Sequence, residues 1–190
     1  MGQPKQLLVW QGESLVHRAV KTALTIDCQL VILVLGAHVK EIRSKIETWQ
    51  NPEPARLIIV ENPDWQEGMS TSVKTGLQTL LKIKPNIDAA LVMLTDQPLL
   101  TSEHLLKLIK QMTDVRCQVP EKNIVASLYN NRPGVPALFD KKWFGELLQL
   151  SGDQGARALF QKHADEVLAI PFPEGAFDLD TPEDYKKLID

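Results

Sequence analysis

The chain has 190 residues, a net charge of −3, 44% hydrophobic residues and a mean hydropathy of −0.13. That length reads as one domain over 1–190 with room for a sizeable core, and the mild acidity argues against nucleic acid as the main partner. No apolar run is long enough to span a membrane, and Met1-Gly2-Gln3-Pro4-Lys5 is not the start of a signal peptide, so a cytoplasmic protein without a membrane partner is expected.

In chain order, residues 1–12 read as a loop carrying Gly2, Pro4, Lys5 and Gly12. Ser14 is placed to cap a helix running to about Ile26, with Leu15, Ala19, Ala23 and Ile26 on one face. Residues 29–35 form a buried strand closed by Gly36, and 38–49 an amphipathic helix with Val39, Ile42, Ile46 and Trp49 inward. Asn51-Pro52-Glu53-Pro54 breaks it before a third strand over 56–60. Glu67-Gly68-Met69-Ser70-Thr71-Ser72 then opens a helix to about Ile83. A glycine and three hydroxyl residues at a helix start leave N–H groups and a positive dipole end for an anion; ordinary capping accounts for one hydroxyl but not three.

The run from Ala89 to Leu94 is wholly apolar, which predicts a strand buried on both faces and internal to the sheet. It stops at Thr95-Asp96, and Pro98 cannot continue a central strand. Asp96 therefore falls at the carboxyl edge of an α/β sheet, where ligands bind, and its carboxylate suits a divalent cation held against phosphate. The plainer alternative is a turn or N-cap residue before the helix over 102–112. Strands over 123–128 and 135–139 follow, joined through 129–134 as a hairpin or a mixed-direction edge. A helix over 141–150, a loop over 151–157 leading to a helix ending at His163, and a strand over 167–172 complete the alternation. Phe177-Asp178-Leu179-Asp180-Thr181-Pro182 enters a final helix, with Pro182 suited to its first turn. Strands alternating with helices predict an α/β fold, its mostly parallel sheet covered on both faces. Cys28 and Cys117 lack metal or redox spacing and read as reduced thiols; His17, His38, His104 and His163 read as surface or capping residues.

Lys5 in an early Gly/Pro loop, Asp96 after a strand, and Asp178 and Asp180 near the end together suit metal-assisted nucleotidyl transfer. Taken alone, a loop lysine and two helix caps would look the same.

Six segments carry a resemblance: Met1-Gly2-Gln3-Pro4-Lys5, Asn62-Pro63-Asp64-Trp65-Gln66-Glu67-Gly68-Met69-Ser70, Leu94-Thr95-Asp96-Gln97-Pro98, Gly134-Val135-Pro136-Ala137-Leu138-Phe139, Gly152-Asp153-Gln154-Gly155-Ala156-Arg157 and Asp178-Leu179-Asp180-Thr181-Pro182-Glu183-Asp184. Lying in order along the chain, they resemble the MobA-like nucleotidyltransferases, and among them the molybdenum cofactor cytidylyltransferases. The resemblance implies a three-layer Rossmann-like fold and transfer of a nucleoside monophosphate, CMP from CTP, to the terminal phosphate of the molybdenum cofactor, with pyrophosphate released. It implies Mg²⁺ on Asp96 and Asp180, with Asp178 as helper, and Lys5 on the triphosphate. Gly68, Met69, Ser70, Ser72 and Asp96 would hold the nucleotide, with Ser72 by the base. Gln97, Pro98, Gly134, Pro136, Gly152, Asp153, Gly155 and Arg157 would face the acceptor. A molybdenum hydroxylase as recipient is the further partner it suggests.

The family opens with a strand and a Leu-Ala-Ala-Gly-x-Ser-x-Arg loop that cradles the triphosphate. Met1 matches the Met of the family's Arg-Met-Gly, so the chain is expected to lack that strand and half of the cradle. The strand's slot beside the central strand is expected to be empty or filled by another segment or chain, and an open slot favours self-association. GTP or another acceptor in place of CTP and the molybdenum cofactor, and a non-catalytic module that carries the cofactor, remain alternative readings.

Overall fold

The computed structural model describes residues 4–118, 122–153, 155–177, 179 and 182–189. The first segment is not all loop. After a 3-10 turn at Lys5–Leu7, β1 (Val9–Trp10) and β2 (Glu13–Ser14) pair as a small antiparallel hairpin. Its turn residues Gln11 and Gly12 both have positive φ, the geometry of a tight two-residue hairpin, and Gly12 is the residue that takes it readily. Helix α1 (Leu15–Thr25) follows. Ser14 occupies its N-cap position with extended backbone, but its hydroxyl makes no capping bond, contrary to expectation.

Next come β3 (Val31–Leu35), α2 (Val39–Glu47), β4 (Leu57–Glu61), α3 (Met69–Ile83), β5 (Ala89–Val92) and α4 (Ser102–Gln118). Then β6 (Ile124–Tyr129) and β7 (Arg132–Asp140) form a hairpin around Asn130 and Asn131, both at positive φ. The expected helix over 141–150 is a 3-10 turn running into the short α5 (Phe144–Leu147); α6 (Arg157–Lys162), β8 (Val167–Pro171) and α7 (Pro182–Ile189) end the chain.

Strands β3 and β4 pair in parallel, and a separate four-stranded sheet runs β5-β7-β6-β8. In that sheet β7 pairs antiparallel with β5 and β6, while β6 and β8 are parallel. Hence β5, β6 and β8 point one way and only β7 is reversed, so the antiparallel hairpin lies inside the sheet.

Side chains alternate across it, as the period of a strand requires. Ala90, Ile124, Ala126, Ala137, Phe139 and Val167 join Leu77 of α3, Leu147 of α5 and Leu159 and Phe160 of α6 in one cluster. From the other face, Val125 and Leu138, with Leu91 and Leu168 half-buried beside them, meet Leu108 and Met112 of α4. A third cluster joins Val16, Val20 and Leu24 of α1 and Ile42 and Ile46 of α2 to Leu33 and Leu35 of β3. The result is the three-layered, Rossmann-like α/β arrangement expected.

One expectation is corrected. Among the described residues β5 is hydrogen-bonded to β7 alone, so it is the end strand of its sheet rather than an internal one. Its apolar run reflects helices packed on both faces, and burial by helices says nothing about lateral neighbours. Among the described residues β3 is likewise paired only to β4. Helix α3 links the two sheets: the Cβ position of Gly76 lies 3.1 Å from Val34 Cγ2 on β3, while Leu77 and half-buried Val73 belong to the cluster containing Ala90. No helix among the described residues is long and apolar enough to cross a membrane.

Candidate active site

The site is built from two turn-to-loop contacts and one helix that ties the second of them to the chain's beginning. The first contact is at the start of α3. Asn62 N donates to Leu35 O (2.8 Å), continuing the line of β3 and β4. Its side chain is 2% exposed and serves as a clamp. Asn62 Nδ2 donates to Thr71 Oγ1 (2.8 Å) and Ser72 Oγ (3.0 Å), and Asn62 Oδ1 accepts from Asp64 N (3.1 Å). Thr71 Oγ1 in turn lies 2.8 Å from Gly68 O and 3.0 Å from Asp64 O. Two of the three hydroxyls noted in the sequence are therefore held by Asn62, and the third, Ser70 Oγ, is buried with no hydrogen-bond partner.

Gly68 sits at φ +111, and a Cβ there would fall 2.6 Å from Gly152 C and from Asp153 Oδ1, so only glycine allows the two loops to meet. Ser70 N donates to Gly152 O (3.2 Å), and a Cβ on Gly155 would lie 3.3 Å from the sulfur of Met69. The structure thus brings the 68–70 and 152–155 segments together. Met69 and Trp65 are exposed, and Trp65 sits so close over Gly36 that a Cβ there would be 2.6 Å from its own Cβ. Asp153 and Arg157 are exposed, and Gln154 lies outside the described residues.

The second contact joins the turn after β5 to a bulge in β7. The ladder between β6 and β7 shifts between Ala126/Ala137 and Ser127/Gly134, leaving Val135 and Pro136 outside it. Gln97 Nε2 donates to Val135 O (2.9 Å), as does Tyr129 Oη (3.0 Å). Gln97 Oε1 is buried and unpartnered. Pro136 is fully buried, and Gly134 packs so tightly on Tyr129 that a Cβ would lie 2.3 Å from its hydroxyl oxygen. Gln97, Pro98, Gly134 and Pro136 therefore share one locality.

Behind it, Ser127 donates to Pro136 O (2.7 Å) and meets His104 Nε2 at 2.8 Å. His104 is 6% exposed and stacks on Phe172 with ring centroids 4.2 Å apart, so it is neither a surface nor a capping residue. Its imidazole is held below the ordinary value, first by burial and then by Lys107, against the opposing pull of Glu174.

Helix α1 connects the 96–98 turn to both chain termini. Arg18 Nε donates to Pro98 O (2.8 Å), and the guanidinium lies 4.2 Å from the centroid of the Trp10 ring. Leu15 is buried with Leu8 and Leu179, next to half-buried Trp10, Phe177 and Tyr185. Trp10 Nε1 donates to Leu188 O (3.0 Å), and Tyr185 Oη donates to Val9 O. Lys5, three residues from Leu8, is half-buried in its 3-10 turn; Asp96 is half-buried in the turn after β5.

Asp178, Asp180, Met1, Gly2 and Gln3 lie outside the described residues, and among the described residues no group of three or more His, Cys, Asp or Glu side chains is gathered for a metal. Asp96 is a hard oxygen donor of the kind Mg²⁺ or Mn²⁺ takes. Sequence reasoning gave no role to Arg18, Ser127, Tyr129 or His104. An arginine in a helix and a serine in a strand have no local signature, and Asn62 stood out only as the first residue of the 62–70 segment that carries the resemblance.

The MobA-like NTP transferase domain family matches residues 1–167. Molybdenum cofactor cytidylyltransferase from Escherichia coli is 27% identical over 187 residues, covering 97% of this chain and 86% of that protein. Nicotine blue oxidoreductase from Paenarthrobacter nicotinovorans is 30% identical over 189 residues, covering 98% and 88%. Among solved structures, the manganese complex of Rv0371c from Mycobacterium tuberculosis superposes with a TM-score of 0.71 at 26% identity, covering 99% of this chain and 92% of that one.

Proposed function

Because the chain belongs to the MobA-like NTP transferase family, we propose that it transfers CMP from CTP to the terminal phosphate of the molybdenum cofactor, releasing pyrophosphate. The observation that carries this reading is the convergence of motifs on α1: Arg18 holds the 96–98 turn, while Leu15 holds Leu8, near Lys5, and Leu179, between the two terminal aspartates. The named activity of the Escherichia coli relative supports the choice of base and acceptor.

In the reaction a phosphate oxygen of the acceptor attacks the α-phosphorus of CTP; a new P–O bond forms as the bond to the β-phosphate oxygen breaks. Gly68, Met69, Ser70 and Ser72 bind the nucleotide at the start of α3, where backbone N–H groups and the dipole favour negative charge. Lys5 neutralises triphosphate charge. Gln97, Pro98, Gly134, Pro136, Gly152, Asp153, Gly155 and Arg157 orient the acceptor. Asp96 and Asp180, with Asp178 assisting, hold Mg²⁺, which when bound offsets charge on the transferring and leaving phosphates. That a mycobacterial neighbour forms a manganese complex supports the use of a divalent ion. The product passes to a molybdenum hydroxylase, and the edges of β3 and β5 that no strand among the described residues pairs favour self-association.

Asp96→Asn tests the assignment. Asn keeps the shape and loses the charge, so turnover with CTP, Mg²⁺ and molybdenum cofactor should fall by about a hundredfold or more, roughly 3 kcal/mol of transition-state stabilisation. The thermal midpoint should be almost unchanged. Wild-type turnover by Asp96→Asn at saturating Mg²⁺ would remove Asp96 from the mechanism and favour a module that carries the cofactor. Side-by-side assays with GTP decide the base. The relative named nicotine blue oxidoreductase favours a second reading, in which the acceptor is another compound; an acceptor screen that follows pyrophosphate release distinguishes the two.

A further inference from the structure

The buried pair Ser127 and His104 has no role assigned in binding substrate, yet it is wired to the β7 bulge through Pro136 O. The register shift removes Val135 and Pro136 from the ladder, so their carbonyls need other donors. Gln97 and Tyr129 serve Val135, and Ser127 serves Pro136. Ser127 is 0% exposed and has a single hydroxyl proton, which goes to Pro136 O. At 2.8 Å, His104 Nε2 must then be the donor to Ser127 Oγ, which fixes the neutral ring as the Nε2–H tautomer. The ring is clamped in turn by stacking on Phe172 at an interplanar angle of 17°, and the backbone of His104 is anchored where its amide donates to Thr101 Oγ1 (3.3 Å). A chain of donors thus runs from α4 through β6 to the bulge, and Gln97 ties the same bulge to the turn that carries Asp96.

We propose that His104 and Ser127 are positioning residues for the acceptor: without touching it, they set the height of the 134–136 wall against the 96–98 turn. This rests on the reading above that 134–136 faces the acceptor. Because the nucleotide, Asp96 apart, is assigned to the separate contact at the start of α3, the larger effect falls on the acceptor. A bulge freed from Ser127 presents the acceptor wall in several conformations, and the fraction competent to bind acceptor falls while CTP binding does not.

The test uses the full chain carrying Ser127→Ala, His104→Leu or His104→Gln, with KM measured separately for CTP and for molybdenum cofactor. Glutamine retains an N–H donor at comparable reach. Ser127→Ala and His104→Leu should raise KM for the cofactor by about tenfold, with KM for CTP and kcat within about threefold of wild type. His104→Gln should restore most of the loss, and it decides the matter if Ser127→Ala fails to fold. Nitrogen-15 NMR of the wild type should show protonated Nε2 and bare Nδ1 on the neutral His104 ring, a pattern lost in Ser127→Ala. A wild type that transfers CMP while His104→Leu raises both KM values in parallel, or matches wild type throughout, overturns the inference alone. A wild type that binds CTP and transfers nothing to the cofactor overturns the acceptor reading and the inference with it.

Discussion

Replacing Asn62 by Ala removes the clamp at the start of α3. Three hydrogen bonds go at once: the donations to Thr71 and Ser72 and the acceptance from Asp64 N. At about 1 kcal/mol each, with the exposed Asp64 amide recovering part of its loss from water, and a small cavity added, Asn62→Ala should destabilise by about 2–4 kcal/mol. For a chain of this length that lowers the thermal midpoint by roughly 5–12 °C. Asn62→Asp refines the test. Aspartate keeps the acceptor for Asp64 N, and the hydroxyls of Thr71 and Ser72 can turn to donate to it, so stability should fall less than in the alanine variant. Its charge, however, sits beneath the helix start assigned to the nucleotide, so CTP affinity should fall more. Differential scanning calorimetry and calorimetric titration with CTP–Mg²⁺ read the two effects separately. An Asn62→Ala protein melting within about 1 °C of wild type would refute the clamp, because a side chain 2% exposed cannot shed three bonds at no cost unless the helix start is held elsewhere.

Gly68→Ala forces a Cβ to within 2.6 Å of Gly152 C at a φ of +111, so it should cost about 2 kcal/mol or more, visible as a lower urea midpoint, and weaken CTP binding by opening the contact between 68–70 and 152–155. Arg18→Ala loses the bond to Pro98 O and the stacking on Trp10, which should remove about 1–2 kcal/mol; Arg18→Lys should recover little, because lysine lacks the planar fork. His104 is held below its ordinary value of 6.5 by burial, so below that pH the unfolded chain takes up the proton more readily. Stability should therefore be full above about pH 6.5 and decline as the pH drops through the lowered value. His17, shifted the same way by burial, adds to the slope. In urea titrations from pH 8 to 5, His104→Gln should flatten the decline without abolishing it.

Periodicity made most of the elements legible. The strands β6, β7 and β8, the inward Ile42 and Ile46 of α2, and the hydroxyl-rich start of α3 all lie where local pattern put them. Lateral order was not legible, because the run from Ala89 to Leu94 reports helices above and below and carries no information about which strand lies beside it. The hairpin of β1 and β2 escaped because two residues on each side of Gln11-Gly12 are too few to show alternation. In the site, motif residues that meet across the fold were each visible singly, and the pairing of 68–70 with 152–155 was not. Contacts between loops depend on tertiary packing, and the residues that anchor them, Arg18, Ser127 and His104, look ordinary in their own segments.

The clasp between the two ends of the chain has a consequence for the order of events during synthesis. Trp10 bonds Leu188, and Leu8 and Leu15 are sealed by Leu179, so these contacts close a loop of about 170 residues. Chain-closure entropy grows with the logarithm of loop length, and such contacts form after local ones. As the chain emerges from the ribosome amino end first, the hairpin and α1 stand with Leu8 and Leu15 uncovered until residues 179–188 have been made. The pairing of β3 with β4 and the hairpin of β6 with β7 can form earlier, since their partners are near in sequence. The segment nearest Lys5 is thus the last to be packed, and a nascent chain holding most of its sheet still lacks the surface on which the 96–98 turn and the carboxyl-terminal segment come together.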